Sequence, residues 1–161
     1  MLRGHRSVVI IAGLLLMVLS VASTSVARER STKCTISGTA GKDDLTGTAG
    51  PDVICGFGGD DHLYGGGGND LLIGGGGSDR VYGEDGNDVS KGGAGADGIL
   101  DTKGLDRLLG GDGNEMCVYA KDGQGGDLVD GGAGKDIYYA NILDTKRNVE
   151  VVGVCPPDFP H

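Results

Sequence analysis

Gly56 to Tyr82 read GFGGDDHLY, GGGGNDLLI and GGGGSDRVY, three nine-residue units in one phase. Working outward, GTAGKDDLT (38–46) and GTAGPDVIC (47–55) precede them, and GEDGNDVSK (83–91), GGAGADGIL (92–100), DTKGLDRLL (101–109) and GGDGNEMCV (110–118) follow without a gap. After three extra residues, Tyr119 to Lys121, the period resumes as DGQGGDLVD (122–130) and GGAGKDIYY (131–139). Eleven units result. The fourth position is always glycine: Gly41, Gly50, Gly59, Gly68, Gly77, Gly86, Gly95, Gly104, Gly113, Gly125 and Gly134. The sixth is Asp43, Asp52, Asp61, Asp70, Asp79, Asp88, Asp97, Asp106, Asp127 and Asp136, with Glu115 as the exception. The eighth is apolar from Leu45 and Ile54 onward, and Ser90 breaks that column. A disordered glycine-rich linker has no phase; a fixed period marks a repeat architecture.

The glycines make the first six residues of each unit turn-like, because they admit positive φ and let backbone approach a ligand closely. The last three read as a short strand with the eighth side chain inward and the seventh and ninth outward. One unit cannot bury its apolar residue alone, so units must stack. Ordinary apolar burial is scarce in a chain with 34 glycines, two Phe and no Trp. Each ordered glycine costs roughly 0.5–1 kcal/mol relative to alanine, so something else must help the chain fold.

These units resemble the G-G-x-G-x-D-x-U-x nonapeptides of the RTX, or haemolysin-type calcium-binding, repeat family. The resemblance covers residues 38–139. It implies an all-β fold, a right-handed parallel β-roll in which unit n stacks on unit n+2, with calcium held between loops by sixth-position carboxylates and backbone carbonyls. One column of ligands is then Asp43, Asp61, Asp79, Asp97 and Glu115, and the other Asp52, Asp70, Asp88 and Asp106. Adjacent pairs define about seven calcium sites, and Asp127 and Asp136 extend the columns if the residues at 119–121 loop out. The array is expected to be weakest at Glu115, at Ser90 and at Asp101-Thr102-Lys103, where unit eight lacks the small residues of the motif.

Calcium suits such ligands, since it takes six to eight oxygens at about 2.3–2.6 Å in irregular geometry, whereas magnesium demands a tighter octahedron. Carboxylates stacked about 4.8 Å apart repel by roughly 3 kcal/mol at an effective dielectric near 20. Summed along two columns, that repulsion opposes folding until a cation reverses its sign. The sequence therefore predicts a chain that folds with calcium and not without it.

The ends carry different signals. Arg3, His5 and Arg6 precede an apolar run from Val8 to Leu19, and Ser25-Val26-Ala27 offers small residues for cleavage, so residues 1–27 read as a secretory signal peptide. The run is too short for the roughly 20 residues of a membrane span, and no span is expected after cleavage. Cleavage leaves 12 basic and 23 acidic residues, a net charge of −11, which repels nucleic acid and attracts cations. Residues 28–37 are expected to cap the array at its start and 140–161, with Val149 to Val152 as a closing strand, at its end. Cys34, Cys55, Cys117 and Cys155 suit two disulfides in an extracellular protein, 34–55 and 117–155 being the economical pairing among three. His5, His62 and His161 are scattered, and no catalytic motif occurs, so no enzyme activity is expected. The leading expectation is a secreted calcium-binding protein. The alternative is a structural or adhesive extracellular protein that uses the roll surface, for which outward Tyr64, Tyr82, Leu100 and Val118 would form an apolar row.

Overall fold

The computed structural model describes residues 33–115, 117–120, 123, 125–140, 145–148 and 151–152. The expected signal segment 1–27 and Cys155 lie outside the described residues. Described strands are β1 (Ile36–Ser37), β2 (Asp44–Thr46), β3 (Val53–Gly58), β4 (His62–Tyr64), β5 (Leu71–Gly76), β6 (Arg80–Tyr82) and β7 (Val89–Gly95). They continue as β8 (Gly98–Asp101), β9 (Arg107–Gly113), β10 (Cys117–Ala120), β11 (Leu128–Ala133), β12 (Ile137–Ala140), β13 (Thr145–Arg147) and β14 (Val151–Val152).

The chain alternates between two parallel sheets, one ordered β1-β3-β5-β7-β9-β11-β13 and the other β14-β12-β10-β8-β6-β4-β2. This is the parallel β-roll that the RTX resemblance implied. Each unit contributes one strand, and each strand stacks on the one two units away: Leu45 pairs with Leu63, Leu63 with Val81 and Val81 with Ile99. Strand β1 lies ahead of unit one, and β13 and β14 extend each sheet beyond unit eleven. Strands β3, β5, β7, β9 and β11 of the first sheet run on into the start of the next unit, as in Val53–Gly58, and are longer than the three residues expected.

The period-nine aliphatics form the core. Ile54, Leu63, Leu72, Val81, Ile99, Leu108 and Val129 are fully buried in one cluster between the sheets. Ser90 takes its place in that row between Leu72 and Leu108, fully buried and with no partner for its Oγ. Burying an unsatisfied hydroxyl costs about 1–3 kcal/mol. Ser90→Val is therefore expected to stabilise the calcium-loaded protein by about 1–2 kcal/mol, read as a higher urea midpoint; an unchanged or lower midpoint would show that the hydroxyl is not a liability.

The three extra residues are distributed differently from the expectation of a loop at 119–121. Val118 pairs with Ile99 and Tyr138, Tyr119 with Leu100, and Ala120 with Asp101 and Ala140. One additional residue therefore lies between Glu115 and Val118, and two lie between Ala120 and Asp127. Val118 is the inward residue of this rung and joins the core, while Cys117 packs with Tyr82 on the other face of the sheet. The outward row is thus Tyr64, Tyr82, Leu100 and Tyr119, with Tyr119 where Val118 was expected. Its first two rings stack at 4.8 Å with a 4° interplanar angle, and Tyr82 is only 7% exposed. Cross-strand packing accounts for this row.

A disulfide joins Cys34 to Cys55 and fastens the segment before unit one to β3. Cys117 is also disulfide-bonded.

Candidate metal centre

Each turn places its sixth residue where the chain leaves the loop for the strand, and the columns expected from the sequence are present as hydrogen-bonded ladders. On one side the amide of Asp43 donates to Asp61 Oδ1 at 2.8 Å, Asp61 to Asp79 at 2.9 Å and Asp79 to Asp97 at 2.9 Å. On the other, Asp52 donates to Asp70 and Asp70 to Asp88 at 2.8 Å, Asp88 to Asp106 at 3.0 Å and Asp106 to Asp127 at 2.9 Å. Glu115 donates to Asp136 at 3.2 Å, so the rung with the longer side chain stays in the stack. These hydrogen bonds occupy one carboxylate oxygen and aim the other into the loop.

That second oxygen is the chemically important one. Oδ2 of Asp61, Asp70, Asp79, Asp88, Asp97 and Asp136, and both carboxylate oxygens of Glu115, are buried with no hydrogen-bond partner. A cradle surrounds them. A β-carbon at Gly74 would fall 2.3 Å from Asp79 Oδ2 and 2.7 Å from the Gly92 carbonyl oxygen, and one at Gly56 would meet Asp61 Oδ2 and the Gly74 carbonyl at 2.3 and 2.6 Å. The missing side chain at the first position thus lets a carboxylate of one rung and a carbonyl of the next converge. Hard, all-oxygen donors of mixed type fit calcium, and buried polar atoms without partners call for one.

The first two units are built differently. Thr39 donates to Asp43 Oδ2 from its amide at 2.6 Å and its hydroxyl at 2.9 Å. Thr48 does the same for Asp52 Oδ2, both at 2.8 Å, and the Thr35 hydroxyl donates to Asp52 Oδ1 at 3.0 Å. The Thr48 hydroxyl, then its amide, hold the Asp52 carboxyl below its usual range. The signal was legible in the sequence: GTAG stands where later units have GGGG or GGAG, and a threonine two residues into a turn supplies such hydrogen bonds.

Further along, burial is the leading influence on six carboxyls, those of Asp70, Asp79, Asp88, Asp97, Asp101 and Glu115, and favours their neutral form. It raises Asp70 and Asp79, and pushes Asp88 and Asp97 up to about 6. Glu115 is raised to about 8, by burial and then by Asp136. Asp101 is raised to about 9, by burial and then by the charges of Asp106 and Asp88. Asp101 is the functional candidate missing from the sequence expectation. Unit eight was expected to be weak for want of a glycine there, yet the replacement brings a third carboxylate inward: one oxygen each from Asp88, Asp101 and Asp106 lie within 4.8 Å of one another.

The sequence matches the family model described as RTX calcium-binding nonapeptide repeat (4 copies) at residues 37–72, 64–99 and 119–142. The chain belongs to the RTX calcium-binding nonapeptide repeat family. The matched RTX segments stop at residue 99 and resume at 119; between them lie Asp101, Glu115 and the additional residue before Val118. No curated protein and no solved structure gives a significant match. Among the described residues no helix is long and apolar enough to cross a membrane.

Proposed function

We propose that the protein is a secreted calcium-binding protein in which calcium between stacked RTX turns drives folding of the roll. The observation that supports this reading is the set of buried Oδ2 atoms without donors at Asp61, Asp70, Asp79, Asp88, Asp97 and Asp136. Calcium supplies positive charge and a demand for oxygen ligands at those positions. The residues proposed to hold it are Asp61, Asp70, Asp79, Asp88, Asp97, Asp106, Asp127 and Asp136, with Glu115 completing one column. Asp43 and Asp52, already satisfied by threonine, close the start of the roll as structural residues. Secretion rests on the apolar run and small-residue end of residues 1–27; recovery of the protein from culture medium with Arg28 as its first residue checks that step.

Calorimetric titration of the mature, disulfide-bonded protein tests the binding. Calcium is expected to bind at several sites with concurrent gain of strand signal, and magnesium at the same concentrations to produce no such gain. A chain that takes up no calcium at millimolar concentrations refutes the reading.

A further inference from the structure

In most units the first position is glycine, and the space beside its α-carbon belongs to the carboxylate of its own unit. At Gly65, for example, a β-carbon would fall 2.8 Å from Asp70 Oδ2 and 2.4 Å from the Gly83 carbonyl oxygen. One rung further the pattern changes. A β-carbon at Gly83 would meet Asp101 Oδ2 at 1.8 Å, with all three nearest atoms belonging to the Asp101 carboxylate. Asp101 therefore reaches back from unit eight into the loop of unit six, where Asp88 stands.

Two observations point to a ligand there. Asp101 is 1% exposed and neither of its carboxylate oxygens has a hydrogen-bond partner, and Asp88 Oδ2 is in the same condition. The basic side chains of unit eight do not neutralise the cluster, because Lys103 is paired with Asp85 at the surface and Arg107 is exposed. Three buried carboxylates within 4.8 Å of one another form a hard, anionic donor set in a place that water reaches poorly. Buried charges persist only when paired or bound to a metal.

We propose that Asp88, Asp101 and Asp106 form a three-carboxylate cation site, distinct from the two-carboxylate sites of the motif, and that it is the tightest calcium site in the roll. The inference rests on the calcium reading of the RTX turns and adds to it. A regular site draws on the sixth-position carboxylates of two stacked units, whereas Asp101 raises the ligand charge here by one. Calcium affinity in oxygen sites is tuned by ligand charge and rigidity, and Asp101 lies on a paired strand, β8, which fixes its backbone.

The test is competitive calcium titration, with a chromophoric chelator, of the wild-type protein and of Asp101→Gly and Asp101→Asn. Gly restores the motif residue, and Asn keeps the shape without the charge. The wild type is expected to hold one ion about tenfold or more tightly than the rest. Both variants are expected to lose that ion, keep the weaker ones and still gain strand structure in saturating calcium. Persistence of the tight ion in both variants, or tighter binding by either, overturns the proposal while leaving calcium binding by the roll intact. Loss of all calcium binding in both variants assigns Asp101 to the fold instead of to one ion, and overturns it as well. A wild-type chain that binds no calcium refutes the underlying reading itself.

Discussion

In chelator at neutral pH the mature protein is expected to show little strand signal by circular dichroism, and acidification of that sample to about pH 4 is expected to restore part of it. The first half follows from the unpartnered oxygens of Asp61, Asp70, Asp79, Asp88, Asp97, Asp136 and Glu115, all buried. An uncompensated buried charge costs several kcal/mol, against a usual net stability of about 5–15 kcal/mol. The second half follows from the direction of the titrations. Asp88 and Asp97 are raised to about 6, Glu115 to about 8 and Asp101 to about 9, burial being the largest cause in each. A carboxyl whose folded value exceeds its unfolded value binds protons more tightly in the fold. The metal-free fold therefore gains stability as pH falls from about 9 toward the ordinary carboxylate range near 4, and loses it in the reverse direction. Asp52 sets the lower limit, since its carboxyl is held below the usual range by Thr48 and its contribution is lost as pH falls through that lowered value. On the proposed function, protons and calcium compete for one set of oxygens. With saturating calcium the strand signal is expected to be flat across neutral pH, and calcium affinity to fall as pH drops through about 6, where Asp88 and Asp97 protonate. A chelated protein that stays fully folded at pH 7, or loses strand on mild acidification, would refute the account.

The period carried the repeating unit: Gly41 to Gly134 and Asp43 to Asp136 fixed the phase, and with it the inward row from Ile54 to Val129. The stacking of each unit on the one two away, and with it the two carboxylate columns, came from the RTX resemblance. What the period did not carry arose where several residues suit the same position. Around unit nine the run Cys117-Val118-Tyr119-Ala120 is apolar throughout, so a shift of one residue exchanges Val118 and Cys117 across the sheet without placing a charge in the core. Register in strands is specified only by such contrasts, and here the contrast is absent. Asp101 was obscured for another reason. A charged residue at a glycine position reads as a lost turn, and only the stacking of unit eight on unit six shows that its side chain has a carboxylate cluster to enter. Thr39 and Thr48 were legible in principle, because a hydroxyl at the second position of a turn changes which oxygens remain to be satisfied.

Neighbouring glycines supply the sharpest test of the stacking itself. Gly77 occupies the fourth position of unit five with φ +127°, and a β-carbon there would lie 2.1 Å from the Gly59 carbonyl oxygen and 2.6 Å from its carbon. That neighbour is backbone of the rung below, so the overlap can be relieved only by separating rungs. Separation would lengthen the Asp61-to-Asp79 hydrogen bond and open the cradle beside Gly74. Gly76, one residue earlier, has no atom within 4 Å of its β-carbon position. Gly77→Ala is expected to cost about 3 kcal/mol or more, combining a residue forced into a sparsely populated backbone region with a steric clash. Gly76→Ala is expected to be neutral or to stabilise by about 0.4–1 kcal/mol, since alanine restricts the unfolded chain more than glycine does. On the proposed coupling of folding to calcium binding, both effects are read as the calcium concentration at half-maximal strand signal. It should rise steeply for Gly77→Ala and stay level or fall for Gly76→Ala. Equal midpoints for the two variants would mean that the fourth-position glycine is not held by contact with the rung below, and that the close stacking of turns does not govern the fold.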